Sequence, residues 1–272
     1  MFEIAAAPTH RCLTKTEMAP KGVKPTLARS GVYSALRLIV RPVVTMVGDT
    51  IRMTLARNKK VIGYEVAGQN ISGIIYYPKS KHPAPATLLL PTAMGLTPHE
   101  HAIAVRLARE GYTVLALGYT KRTTGAVVKD EQLRKRLEQI VLRGWHTLLA
   151  DPMTDASRAA VVGFSLGGYF ATYIATANTE YAPKAGVIYY GVYAVADGHR
   201  APLRTPLLVL QGENDDPEFV SNAKALSQRH SELCEVVVYP DTGHQFDLFE
   251  PNSAATSDGW ERTLGFLKKH LQ

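Results

Sequence analysis

Ser165 stands in the pentapeptide GFSLG, after the apolar run RAAVVGF and ahead of the helix-like LGGYFATYIATA. A serine hydroxyl becomes a useful nucleophile only beside a positioned base. A Gly-x-Ser-x-Gly sequence between a strand and a helix places the serine on a sharp turn at the carboxyl end of the strand. Glycines flank it because a Cβ there would collide with the neighbouring strand and helix. The first N–H groups and the dipole of the following helix favour a developing oxyanion. The Leu166 N–H is therefore the expected first oxyanion donor. Taken alone, the pentapeptide also fits an ordinary strand-to-helix connection.

The chemistry needs an acid and a histidine downstream of the serine, in that order, each just beyond a strand end. PLLVLQGENDDP ends one strand and offers Asp215, with Asp216 as the alternative acid. Asp216 is equally suited to cap a helix starting at Pro217. VVVYPDTGHQF ends the next strand and offers His244. Asp241 and Asp247 flank the histidine and read as turn and surface residues. A second oxyanion donor is expected from the loop PTAMGLTPHEH, where Ala93 and Met94 supply N–H groups and Gly95 lets the backbone turn. His99 and His101, two apart on a helix, do not share a face, and no third ligand is evident, so no metal is expected. Met94, Tyr119, Tyr190, Tyr193 and Phe246 fall at strand ends or loops around these groups and are expected as apolar pocket walls. Such walls suit short acyl or lactone substrates.

The elements that must hold these residues alternate along the chain. KVIGYEVAG and ISGIIYYP read as a hairpin joined by a GQN turn. ATLLLP, YTVLALGY, RAAVVGF, AGVIYYG, PLLVLQG and CEVVVYP read as further strands. HEHAIAVRLAREG, the long KDEQLRKRLEQIVLRGWHTLLA, PEFVSNAKALSQRH and SDGWERTLGFLKKHL read as helices. Strands alternating with helices imply a mostly parallel sheet of about eight strands, covered on both faces. The 272 residues, 46% hydrophobic, suit one large α/β domain over 58–272 with an N-terminal extension over 1–57.

The formal charge of +7 is unevenly placed. Residues 1–60 hold 11 Lys/Arg against 3 Asp/Glu, whereas residues 61–272 hold 20 against 21. The high pI belongs to the extension, which removes the motive for nucleic-acid binding by the main domain. Within the extension, Val32, Leu36, Ile39, Val43, Val47 and Ile51 form a helical apolar stripe that Pro42 divides. Such a stripe over 30–57 needs a burial partner: the main domain, a second subunit or an anionic membrane surface. An organellar presequence is a further reading. Cys12 and Cys234 make neither a disulfide framework nor a metal site, no run of 18 apolar residues exists, and the start lacks a secretory layout, so a cytoplasmic setting is expected.

With these motifs in hand, the chain resembles the dienelactone hydrolase family of the α/β-hydrolase fold over most of residues 60–270. LLLPTAMGLTPHEHAIAVRLAREGYTVLALGYTKR, VVGFSLGGYFA, VIYYGVY, LVLQGENDD and YPDTGHQFD carry the resemblance. It implies no nicotinamide, flavin or metal, and no large cap. Three positions depart from the family's namesake enzymes. Their nucleophile is a cysteine where this chain has Ser165. A glutamate that contacts the resting thiol is matched by Thr92. Of two arginines that hold a substrate carboxylate, one is matched by Lys121, with Arg122 beside it, and the other by Leu248. The expectation is a serine hydrolase of small esters or lactones, acting through Ser165, His244 and Asp215. Amide or thioester hydrolysis and acyl transfer need the same triad. A non-catalytic, membrane-associated binding module is the alternative of a different class.

Overall fold

The computed structural model describes residues 58–66, 68–120, 123, 129–176, 182–191 and 203–271. The extension over 1–57, Lys121, Arg122 and Tyr193 lie outside the described residues. Strands β1 (Lys59–Val66) and β2 (Gln69–Tyr76) form the expected hairpin, with Val66 opposite Gln69 and Gly68 at φ 74° in the turn. Gln69 and Asn70, read as turn residues, are already paired in the ladder. β3 (Ala84–Leu90), β4 (Thr113–Gly118), β5 (Thr154–Phe164), β6 (Ala185–Tyr189), β7 (Leu207–Gly212) and β8 (Cys234–Tyr239) complete one eight-stranded sheet. Its order is β1-β2-β4-β3-β5-β6-β7-β8. The β1–β2 and β2–β4 pairings are antiparallel, so β2 alone runs against the other strands; from β4 to β8 every pairing is parallel.

Alternation along the strands divides the interior into two layers. Leu88, Leu90, Leu115, Leu117 and Val161 face one layer, while Leu89, Val114, Ala116, Val162 and Phe164 face the other. Helices α2 (Glu131–Leu149), α3 (Leu166–Thr176) and α4 (Pro217–Arg229) cover the first layer. In α2 the buried Leu137, Ile140, Val141, Gly144, Trp145 and Leu148 recur at helical spacing, which makes a single apolar stripe. Helices α1 (Pro98–Arg109) and α6 (Ala254–Leu271) cover the second layer through Ile103, Leu107, Leu267 and Leu271. A one-turn helix, α5 (Phe246–Phe249), which the sequence pattern did not indicate, follows the histidine loop.

A parallel sheet sends all its strand-to-helix loops to one edge, and there ligands and chemistry collect. The backbone is strained at that edge. The non-glycine residues of positive φ among the described residues are Ser165 (51°), Tyr190 (37°), Asp241 (52°) and Gln245 (57°), all in loops beyond β5, β6 and β8. Each such residue costs about 1–3 kcal/mol and persists only where its surroundings over-determine it.

Candidate active site

The serine turn is fixed by its neighbours. A Cβ on Gly163 would lie 2.3 Å from the Gly167 carbonyl oxygen, and one on Gly167 would lie 2.2 Å from that of Leu90. Only glycine lets α3 begin this close to β5 and β3, and that approach holds Ser165 in the left-handed region. The Ser165 N–H donates to the Tyr189 carbonyl at 3.0 Å, and the Gly168 N–H donates to the Ser165 carbonyl at 2.8 Å.

Asp215 and His244 arrive from the ends of β7 and β8. The Glu213 N–H donates to the Tyr239 carbonyl and the Asn214 N–H to that of Thr242, each at 2.9 Å, so the two loops are stitched together. His244 Nε2 lies 3.0 Å from Ser165 Oγ, and His244 Nδ1 lies 2.8 Å from Asp215 Oδ2. The Asp215 side chain is almost fully buried, whereas the imidazole is 31% exposed. Asp215 accepts two more hydrogen bonds, from Gln211 Nε2 at 2.7 Å and from the Asp216 N–H at 2.7 Å. Asp216 itself caps α4, its Oδ1 accepting from the Glu218 N–H at 2.9 Å. Of the two neighbouring carboxylates, Asp215 thus contacts His244 and Asp216 caps the helix.

Leu166 opens α3, so its N–H is among the first-turn donors that have no partner inside the helix. Ala93 sits in the loop between β3 and α1, where its carbonyl accepts from the Thr123 N–H at 2.7 Å. Thr92 is buried; its Oγ1 accepts from the Met94 N–H at 3.2 Å and its carbonyl from the Gly95 N–H at 3.0 Å. Gly95 takes φ 79°, as a turning position requires.

The expected pocket walls divide. Met94 is 47% exposed at the serine edge. Tyr119, Tyr190 and Phe246 are 2% exposed or less, which corrects their reading as walls: they stand behind the site. The Tyr119 hydroxyl donates to the Pro91 carbonyl at 2.8 Å and supports the loop after β3 from within. Phe246 packs on Tyr189, Tyr190 and Tyr239. Phe219 of α4, which the sequence reading passed over, contacts the His244 ring with centroids 5.8 Å apart. Leu248 is 41% exposed on α5. Gln211 was also missed, although a lone amide in the apolar run PLLVLQG marks a buried polar side chain that needs a partner.

Asp247 is not the surface residue its position implied. Its side chain is only 9% exposed, with Oδ1 accepting from the Tyr190 hydroxyl at 2.6 Å and Oδ2 lying 2.9 Å from His99 Nε2. Burial, then the Asp247 charge, raises the Tyr190 phenol far above its ordinary range, so it donates and does not ionise. Burial alone would lower the His99 pKa; the Asp247 hydrogen bond and charge outweigh it and hold it above the ordinary value. His101 Nδ1 lies 2.7 Å from the Tyr76 hydroxyl. Among the described residues no three His, Cys, Asp or Glu side chains converge as metal ligands would, and no helix is long and apolar enough to cross a membrane. Burial pushes the Cys234 thiol up to about 12, so it offers no thiolate near neutral pH.

Residues 71–271 match the model of the dienelactone hydrolase family. The chain belongs to the dienelactone hydrolase family. By that membership it is a carboxylic-ester hydrolase, with esters and lactones as its substrate class. A curated relative, the carboxymethylenebutenolidase of Rhodococcus opacus, is 27% identical over 206 residues, 68% of this chain and 81% of that protein. Among solved structures, a dienelactone hydrolase-like promiscuous phosphotriesterase from metagenomic libraries superposes with a TM-score of 0.67 at 20% identity, covering 79% of this chain and 98% of that one. The dienelactone hydrolase of Anabaena variabilis gives 0.59 at 20% identity, with the same coverage. At such identities the structural likeness speaks for the α/β-hydrolase fold.

Proposed function

We propose that this protein hydrolyses small carboxylic esters or lactones through an acyl-enzyme on Ser165, with His244 as general base and acid and Asp215 as its orienting carboxylate. The observation that carries this reading is the unbroken hydrogen-bond chain Ser165 Oγ–His244–Asp215, with links of 3.0 and 2.8 Å, at the edge where α3 begins. His244 Nε2 takes the Ser165 proton as Oγ attacks the substrate carbonyl. Asp215, accepting from Nδ1–H, holds the tautomer that leaves Nε2 free to receive that proton and stabilises the imidazolium that forms. The N–H groups of Leu166 and Ala93 receive the oxyanion, which the N-terminus of α3 also favours. His244 then protonates the departing alkoxide, and water attacks the acyl-enzyme by the reverse route.

The substrate reading rests on what flanks this chain of groups. Met94, Phe219 and Leu248 are partly or well exposed apolar side chains in the oxyanion loop, on α4 and just after the histidine loop. An apolar rim favours an uncharged ester or lactone over the carboxylate-bearing substrate a pair of arginines would hold. Steady-state assays with short-chain aryl esters test it. Turnover by the wild-type chain that Ser165→Ala abolishes supports the reading; absence of turnover across short acyl chains contradicts it.

A further inference from the structure

A second hydrogen-bond chain meets His244 from behind. It joins three residues distant in sequence: Tyr190 just beyond β6, Asp247 in α5 and His99 in the first turn of α1. The Tyr190 ring lies edge-on to the His244 ring, with centroids 4.9 Å apart at 65°. Tyr190 is fully buried and held at both ends, its backbone N–H donating to the Leu210 carbonyl at 2.8 Å and its hydroxyl donating to Asp247 at 2.6 Å. Its backbone takes φ 37°, a strain that this tethering can sustain. Asp247 lies three residues after His244, across the left-handed Gln245. Its carboxylate therefore ties the loop that carries His244 to β6 through Tyr190, and to α1 through His99. α1 in turn starts where the oxyanion loop ends, and its capping box of Thr97 and Glu100 fixes that junction. The triad positions the Nδ1 side of His244 through Asp215; nothing in the triad fixes the loop itself relative to Ala93.

We propose that Asp247 is a positioning residue for His244: through Tyr190 and His99 it braces the histidine loop against the β6 end and the oxyanion loop, setting the imidazole for proton transfer. This rests on the reading of Ser165 and His244 as nucleophile and base. A carboxylate suits the task because one side chain accepts from two donors on different elements, and charge-assisted hydrogen bonds are shorter and stronger than neutral ones. A small displacement of a general base is costly because proton transfer needs near hydrogen-bond geometry.

The experiment is a double-mutant cycle on Tyr190→Phe and Asp247→Asn in the full chain. It is read by kcat and KM on a short-chain aryl ester, by the rate of Ser165 labelling with a fluorophosphonate, and by thermal unfolding. Each single variant is expected to lose about tenfold in kcat, with KM changed by less than about twofold and labelling slowed in parallel but still on Ser165. The double variant is expected to fall no further than the worse single one, because both break one brace. Additive losses, a change in KM alone, or a lowered unfolding midpoint with kcat kept would overturn the proposal. If Asp247→Asn fails to fold, Tyr190→Phe paired with His99→Gln runs the same cycle. A wild-type chain that carries no label on Ser165 would instead sink the underlying nucleophile reading, so the two failures are distinct.

Discussion

Two hydrogen-bond chains meet at His244, one bonded to its ring nitrogens and the other packed against its ring through Tyr190, and they differ in how they are built. The first runs through Ser165, His244, Asp215 and Gln211, and each member lies in or just after β5, β7 or β8. The second runs through Tyr190, Asp247 and His99, and its members come from a strand end, a one-turn helix and a helix start. The first exposes one group, the imidazole, and buries the acid behind it. The second is more enclosed: its tyrosine is fully buried, its carboxylate nearly so and its histidine 17% exposed. The first presents a partly exposed imidazole to a substrate, whereas the second keeps its tyrosine and carboxylate out of solvent. The difference fits the chemistry proposed for the first and the positioning proposed for the second.

Breaking the first chain at its reacting atom has the largest expected effect. Ser165→Ala should lower kcat on an activated ester by about 10⁵-fold or more, since removing the nucleophile forfeits the acyl-enzyme route. Asp215→Asn should follow at about 10⁴-fold, because an amide at that position stabilises the wrong imidazole tautomer. Asp216→Asn sharpens the assignment of the acid: stability should fall by less than about 1 kcal/mol, because asparagine also caps, and kcat should stay close to wild type. Steady-state kinetics and urea unfolding of the two aspartate variants separate these outcomes. Equal kinetic losses would contradict the division of roles.

Gln211→Leu probes the support of the first chain. It removes a buried donor from the Asp215 carboxylate, and unfolding in urea should show a loss of about 1–3 kcal/mol. The smallest expected effect belongs to the second chain and depends on pH. His99 is held above its ordinary value, so its pairing with Asp247 contributes stability that is fully present below the unfolded value of 6.5 and is lost as pH rises through the folded one. Asp247, Glu100 and Arg106 are the charged groups that face it. Thermal midpoints of wild type and His99→Gln should differ most in mildly acid solution and converge as pH rises above neutrality. A gap that widens with pH would reverse the assigned sign.

The first chain was legible in the sequence for a physical reason. A nucleophile turn needs glycines, and an acid and a histidine just beyond consecutive strands need only the strand pattern to be found. The same pattern placed β3 to β8, because a parallel sheet buried on both faces writes its strands as apolar runs, while the half-exposed β1 and β2 were found as a hairpin around their turn. The second chain left no such mark. Tyr190 lies in an aromatic-rich strand end, where a buried ring and a pocket wall look alike. Asp247 lies in a one-turn helix too short to show a period, so it read as a surface acid. His99 read as a helix-start residue, which it is, but its partner is 148 positions away. Their pairing depends on how α1, β6 and α5 pack, which local sequence does not encode. Phe219 was missed for a related reason: on an amphipathic helix, a ring turned toward a site and a ring turned toward the core have the same spacing.

The central claim is that Ser165 is the nucleophile and His244 its base. Labelling with a fluorophosphonate, followed by peptide mapping by mass spectrometry, tests it most directly. A single adduct on the peptide that contains Ser165, absent in Ser165→Ala and strongly slowed in His244→Ala, is the predicted result. An adduct on another residue, or labelling that His244→Ala leaves unchanged, would contradict it.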